Sequence, residues 1–239
     1  MYDTQTETAP IATPPALHVG PAILLSPQQT RDLKQVIKFV EYYQPLYAIE
    51  LGPKPRRPCR DRADAIAEAL APLGPHQRIV DFGSSLGYFV FYFADRGVHA
   101  EGIDSRPENV AVAQVVRQIN GLPALFNCAE LSLEYVRSIP HGRYDAALIL
   151  SVLHHITHKQ GLAYTVELVA ELLQRIPVLI LELARRDESV DFLWRESQPE
   201  DPLDVLSACP NIHTRKLGEF DTHLSHIRRP LWLITRKNS

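Results

Sequence analysis

Between residues 78 and 184 the chain alternates short apolar runs with helix-compatible segments, and this rhythm constrains the fold more than any other feature. "RIVDFG" (78–83), "HAEGID" (99–104), "ALFNCAE" (124–130), "YDAALILSVL" (144–153) and "VLILELA" (178–184) read as strands. Between them lie "YFVFYFADRG" (88–97), closed by Gly97, a segment opened by Pro107 and running to about Asn120, and one running to about Arg175. Strand alternating with helix at this spacing predicts a parallel sheet covered by helices on both faces, a doubly wound α/β fold. "NIHTRKLGEF" (211–220) and "RPLWLITRK" (229–237) follow with no helix between them, so they are expected to pair as an antiparallel C-terminal hairpin. The expected whole is a mostly parallel, Rossmann-like sheet of seven strands.

A chain of 239 residues suits one sizeable core. Residues 1–27, with prolines at 10, 14, 15, 21 and 27, are expected to form a flexible arm. From 28 to 43, Leu33, Val36, Ile37, Val40 and Tyr43 fall at helical spacing, and a second helix is expected over 61–73. Residues 28–239 thus read as a single domain, with a helical extension over 28–75 and the sheet core over 76–239. A net charge of -3 argues against a nucleic-acid partner. Cys59, Cys128 and Cys209 are scattered without a C-x-x-C pair, which suits a reducing cytoplasm rather than disulfides or zinc. The longest apolar run is broken by Glu182, and Asp3 and Glu7 stand where an export signal needs positive charge. The expected location is the cytoplasm without membrane insertion, any attachment to the inner membrane being through partners.

The chemistry begins where the first strand ends. Asp81-Phe82-Gly83-Ser84-Ser85-Leu86-Gly87 runs straight into a helix, and such a small-residue turn lets backbone approach a ligand. It is neither the G-x-G-x-x-G of a dinucleotide site nor a P-loop, since no G-K-[ST] follows. Asp104 closes the second strand about twenty residues on, where an acid can accept hydrogen bonds from a ribose diol. The competing reading is that Asp104 only caps the helix beginning near Pro107.

Three segments, "IVDFGSSLGYF", "GIDSRPENV" and "YDAALILSVLHHI", resemble the first, second and fourth strand motifs of class I S-adenosylmethionine-dependent methyltransferases. Ser85 stands where that family's loop has its middle glycine. "SVLHHITHKQG", "LILELA", "SQPEDPLDVL" and "GEFDTHLSHIRRPLWLIT", with "YQPLY…RRPCRDRADAI" upstream, are similar to the methyltransferase module of bacterial polymannose O-antigen chain terminators. In that family the module is joined to a kinase and methylates the sugar phosphate the kinase makes; here the sequence is expected to leave no room for a kinase. The resemblance implies S-adenosyl-L-methionine as cofactor, with Gly83, Ser85 and Gly87 facing its methionine part. It further implies that Asp81 helps hold the amino group, Asp104 the ribose, and Ala129 with Glu130 the adenine edge. Ser151, His154 and His155 would border the sulfonium and acceptor, and Tyr43, Gln44 and Arg60 would close over the cofactor.

His154 and His155 stand just beyond the fourth strand, on the crevice side of such a sheet. A neutral imidazole there can take the proton of a sugar hydroxyl, or bind an acceptor that is already anionic. His158 nearby has no matching carboxylate or Cys, so no metal is expected. Glu182 and Arg185, ending the fifth strand, and His223, Arg228 and Arg229, in the loop between the last two strands, are candidate acceptor-binding residues. The expected reaction is direct O-methylation of a saccharide, either a chain end or a sugar phosphate, in surface polysaccharide biosynthesis. A separate kinase or glycosyltransferase is a candidate partner. The rival readings are a small-molecule O-methyltransferase of secondary metabolism and a cofactor-binding regulatory subunit without turnover.

Overall fold

The computed structural model describes residues 22–51, 57–75, 78–189, 191–222 and 226–237. Seven strands form one sheet: β1 (Arg78–Phe82), β2 (His99–Asp104), β3 (Leu125–Cys128), β4 (Ala146–Leu150), β5 (Val178–Glu182), β6 (Ile212–Phe220) and β7 (Arg229–Arg236). Their order is β3-β2-β1-β4-β5-β7-β6. β1 through β5 pair in parallel, whereas β7 lies antiparallel between β5 and β6. The mostly parallel sheet with a C-terminal antiparallel hairpin is therefore as the sequence predicts.

Helices cover both faces, and strand alternation assigns each side chain to one of them. Ile79, Leu148 and Ile180 face one apolar cluster, with residues of α2 (Arg60–Leu70), α3 (Tyr88–Ala94) and α4 (Pro107–Asn120). Val80, Ala147, Ile149, Leu179 and Leu181 face the other, which takes Leu168, Val169, Leu172 and Leu173 from α7 (Leu162–Arg175). All seven residues of α3 are buried, so this helix is wrapped by protein on every side. The strand order reverses between β1 and β4, which opens a crevice at their carboxyl ends.

Several boundaries differ from expectation for local reasons. The first helix, α1, spans Pro27–Ile37. Ser26 caps it through a reciprocal box with Gln29, and Pro27 sits at its first turn, so "SPQQ" is a start signal rather than the end of an arm. Bonds from Phe39 to Val36 and from Val40 to Ile37 tighten its end, and the chain then leaves toward the crevice instead of continuing to Tyr43. Residues 22–26 are tied down: the Ile23 N–H donates to Ala48 at 2.7 Å, and Ile23 and Leu25 pack on the core. Residues 1–21 of the expected arm lie outside the described residues. The segment before Arg175 breaks at Gly161 (φ 88°) into α6 (Leu153–Gln160) and α7, and α5 (Leu133–Ser138), capped by Ser132, was not anticipated. Among the described residues no helix is long and apolar enough to cross a membrane.

Candidate functional site

The crevice is built first from backbone. Gly83 (φ 74°), Ser85 (φ 51°) and Gly87 (φ 83°) all adopt left-handed conformations in the turn from β1 to α3. At Gly83 a Cβ would lie 2.4 Å from Val152 Cγ2, and at Gly87 2.6 Å from Phe126 Cζ, so both positions demand glycine. Ser85 takes the strained conformation with a side chain, held by its N–H donating to Asp104 Oδ2 at 2.8 Å. Asp104 Oδ1 accepts from the Arg106 N–H at 2.9 Å and from Asn109 Nδ2 at 3.1 Å. The carboxylate therefore ties the loop to the start of α4 and also faces the crevice. Asp104 does not itself cap α4, whose N-cap is Arg106, but braces the turn before it.

Around this turn lies a cavity of about 390 Å³ lined by Tyr43, Gly83, Ser85, Asp104, Ala129, Glu130, Ser151 and His155, with Ser105, Asn109 and Lys159 among its other walls. A second cavity of about 210 Å³ is lined by Arg57, His154, Phe192, Trp194, Thr222 and Arg229. Glu41, Tyr43, Ser151 and His155 border both. Two chambers meeting at a shared wall are what transfer between two bound molecules requires.

The second chamber is held by buried ions. Glu182, at the end of β5, accepts from Arg57 Nη2 at 2.6 Å, from Arg62 Nη1 at 3.3 Å and from the Ser151 hydroxyl. Burial pulls the Glu182 pKa upward, but Arg62 and Arg57 outweigh it and hold the carboxyl below its ordinary 4.5. Arg57 Nε donates to the Asp221 carbonyl at 2.9 Å, which joins the extension to the loop before β7. Arg229 binds Glu188 through Nε and Nη2, each at 2.8 Å, and lies 5.3 Å from the Trp194 ring centroid.

Trp194 in turn packs on His154, ring centroids 4.6 Å apart, and His154 on His155 at 4.0 Å. Gln198 Nε2 fixes this loop by donating to the His154 carbonyl at 3.2 Å and to that of Trp194 at 2.9 Å. His154 is 5% exposed and its Nδ1 has no hydrogen-bond partner. Burial, then the charges of Arg229, His155 and Arg57, drive its pKa well below 6.5. Burial, Arg229 and Lys159 also lower that of His155, so both rings are neutral at neutral pH. No cluster of three or more His, Cys, Asp or Glu able to hold a metal occurs among the described residues.

Other expected site residues stand elsewhere. Asp81 is buried beside Phe89, Val90 and Phe93 of α3, because alternation along β1 turns it to that face; it does not line either chamber. Burial and the neighbouring charge of Asp104 raise its pKa well above the ordinary carboxyl value. Gly87 caps α3 behind the lining, and Gln44 is buried with its Nε2 3.3 Å from the Tyr43 hydroxyl. Arg60 faces away, paired with Asp64 four residues on along α2 at 2.8 Å. Arg62, two residues later, points inward instead. Glu182 is an anchor 1% exposed rather than an open acceptor contact. Arg185 pairs with Asp187 and lines a separate groove, and Arg228 is exposed and pairs with Asp221. His223 lies outside the described residues. Arg57, Phe192, Trp194 and Glu188 were missed, since only the folded chain brings them to the histidines.

The comparisons with known proteins agree with this architecture. A family profile described as "Methyltransferase domain" matches residues 55–191, more than half of the 239 residues. The chain is 33% identical over 213 residues to the O-antigen chain terminator bifunctional methyltransferase/kinase WbdD of Escherichia coli, covering 86% of this chain and 29% of that one. It thus spans under a third of that relative's length. A 2.2 Å crystal structure of WbdD superposes with a TM-score of 0.76 at 32% identity, over 85% of this chain and 47% of the other. The magnesium protoporphyrin IX methyltransferase ChlM from Synechocystis PCC 6803 with bound SAM shares the fold, with a TM-score of 0.55 at 18% identity over 74% of this chain and 79% of the other. The matched profile runs through β1 to β5 and so through most of the lining of the first chamber, and the chain belongs to the methyltransferase domain family.

Proposed function

We propose that this chain transfers a methyl group from S-adenosyl-L-methionine to an oxygen of an anionic saccharide end, with a phosphate as the anionic group. The donor chamber fits such a cofactor. Its volume of about 390 Å³ is that of a small-molecule site, and it combines a carboxylate for vicinal hydroxyls, a tight backbone turn and the Ala129–Glu130 wall. When bound, the cofactor supplies an electrophilic methyl on a sulfonium sulfur. Asp104 accepts hydrogen bonds from the ribose, and the 83–87 turn leaves room beside the methionine part.

The observation that carries the acceptor assignment is the pair of buried arginines, Arg57 and Arg229, lining the chamber next to two neutral histidines. Arg57, Arg62 and Arg229 meet Glu182 and Glu188, so the buried ion network carries one excess positive charge, with Glu41 on the chamber's wall outside that network. An anionic acceptor compensates it in a low-dielectric setting. Arg229 engages Glu188 through Nε and Nη2 only, which leaves its Nη1 edge to orient acceptor oxygens. Positioning provides most of the rate, because a phosphate oxygen is already ionised and needs no base.

A hydroxyl acceptor is the second reading, favoured by the unpartnered Nδ1 of neutral His154. A base is then worth roughly 10²–10⁴ in rate. Transfer of labelled methyl to matched saccharides with and without a terminal phosphate separates the two. The anionic reading expects transfer to the phosphorylated member alone, with Arg229→Lys reducing it at least tenfold and Arg228→Lys leaving it intact. Transfer to the unphosphorylated member, lost in His154→Gln, would establish the second. The relative named as an O-antigen chain terminator is a bifunctional methyltransferase/kinase of which this chain matches 29%, and the saccharide acceptor proposed here is in keeping with that name.

A further inference from the structure

Phe192 takes no part in the ion network, yet it lines the acceptor chamber. Its ring stacks on Trp194 at a centroid distance of 4.9 Å and an interplanar angle of 17°. Trp194 is buried by His154 on one side and Arg229 on another, whereas Phe192 is only half-buried. One face of the Phe192 ring is therefore covered by Trp194 while the ring as a whole remains reachable from the chamber. The loop is braced locally: Phe192 N–H donates to the Ser189 carbonyl at 3.1 Å, Arg195 N–H to the Phe192 carbonyl at 3.0 Å, and Gln198 pins the far end to α6. A rigid, flat apolar surface at the edge of a charged chamber is unusual on energetic grounds. Such a ring gains by being covered, and nothing in the ion network needs it there.

We propose that Phe192 is the platform for the pyranose ring that carries the acceptor oxygen. This rests on the saccharide reading above and adds to it a residue that selects the sugar. A pyranose has an apolar face of axial C–H groups and a polar rim of hydroxyls. Its apolar face stacks on Phe192, and its rim meets Thr222 and Glu41, which border the same chamber. The chamber's size fits this occupant. At about 210 Å³ it has room for a single pyranose ring beside Phe192. Arg229 borders the same chamber and is the candidate partner for an anionic substituent on the stacked ring.

The test uses the full chain saturated with S-adenosylhomocysteine and reads contact by saturation-transfer NMR with neutral methyl hexopyranosides, which needs no turnover. Saturation is expected at the ring C–H protons of at least one hexopyranoside, lost in Phe192→Ala and in Phe192→Leu, and retained in Phe192→Tyr. Phe192→Leu preserves an apolar packing partner for Trp194, and so separates the loss of a flat ring from a disturbed loop; unchanged far-ultraviolet circular dichroism and unchanged affinity for S-adenosylhomocysteine confirm the fold. With a phosphorylated hexopyranoside as methyl acceptor, Phe192→Leu should raise KM about tenfold at nearly constant kcat. Equal saccharide contact in wild type and Phe192→Leu, or none in wild type, overturns the platform. Methyl transfer without sugar contact would leave the acceptor reading standing and remove only the platform. Sugar contact that depends on Phe192, without transfer to any phosphorylated acceptor, would keep the platform and remove the acceptor reading.

Discussion

The two chambers are made by different means. The chamber proposed for the donor draws most of its lining from one continuous stretch, residues 83 to 164, in which four parallel strands, β1 to β4, deliver loops to a common edge. Its shape is set by backbone conformation at Gly83 and Ser85 and by one carboxylate that organises two loops. The chamber proposed for the acceptor gathers residues from positions 41 to 229, and its shape is set by paired charges between segments far apart in the chain. Local geometry tolerates little change of residue type but little depends on the rest of the fold. A network of ion pairs works the other way, since each member is replaceable in principle but the removal of one leaves another buried and uncompensated.

The largest effect is therefore expected on the acceptor side, at Glu182. Glu182→Gln removes the charge that two buried guanidiniums share and weakens the acceptor for Ser151. Breaking a buried pair in this way costs about 3–5 kcal/mol, and urea denaturation should show a loss of that order. Because Glu182 is held below 4.5, its contribution is present above that pH and is lost as the pH falls through the depressed pKa. A loss under 1 kcal/mol would mean that the two chambers do not differ in the way described.

This contrast also explains what the sequence disclosed. The strands β1 to β5, the hairpin and the 83–87 turn were legible because periodicity and turn residues are local signals, and β2 and α4 begin and end where the pattern places them. Asp104 was legible because its register follows from the end of a strand. β1 was visible as a short buried run ending in Gly83, and the period-two rule applied to that run places Asp81 on the α3 face. Arg60 and Arg62 show the opposite case. Both lie on one helix, whose period turns Arg62 to the buried face with Ile66 and Ala69, but only the folded chain supplies Glu182 as its partner. Nothing in the spacing of Phe192, Trp194 and Arg229 announces that they stack above His154.

A smaller effect is expected on the donor side. Asp104→Asn keeps the size of the side chain but exchanges one acceptor oxygen for a donor, so it cannot serve both the Ser85 N–H and Arg106 N–H as the carboxylate does. Charge-assisted bonds to a ribose are lost with it, each worth about 1.5–3 kcal/mol. Titration calorimetry with S-adenosylhomocysteine should show at least a tenfold weakening, with thermal stability falling less than in Glu182→Gln. Unchanged affinity would reduce Asp104 to its loop-tying role.

The smallest effect sharpens the comparison, because it is confined to a single ring. His154 is buried and neutral, whereas an unfolded histidine titrates near 6.5. Between its depressed folded pKa and that value the unfolded chain binds more protons than the folded one, so stability falls as the pH drops below about 6.5. For one proton the slope is limited to about 1.4 kcal/mol per pH unit. Urea melts at a series of pH values should show this slope in wild type and a shallower one in His154→Gln, with His155 supplying the same sign of dependence in both. The two proposed acceptors make different demands on the same ring. If His154 accepts a proton from a hydroxyl, the rate should persist well below pH 6.5 before falling, since its protonation is delayed by burial and by Arg229. If the acceptor is a phosphate, the rate should follow the acceptor's own ionisation instead, and should do so equally in His154→Gln. A rate that falls at 6.5 in wild type would show that the ring is solvated during turnover, and the acceptor chamber would then be as open as the donor chamber is.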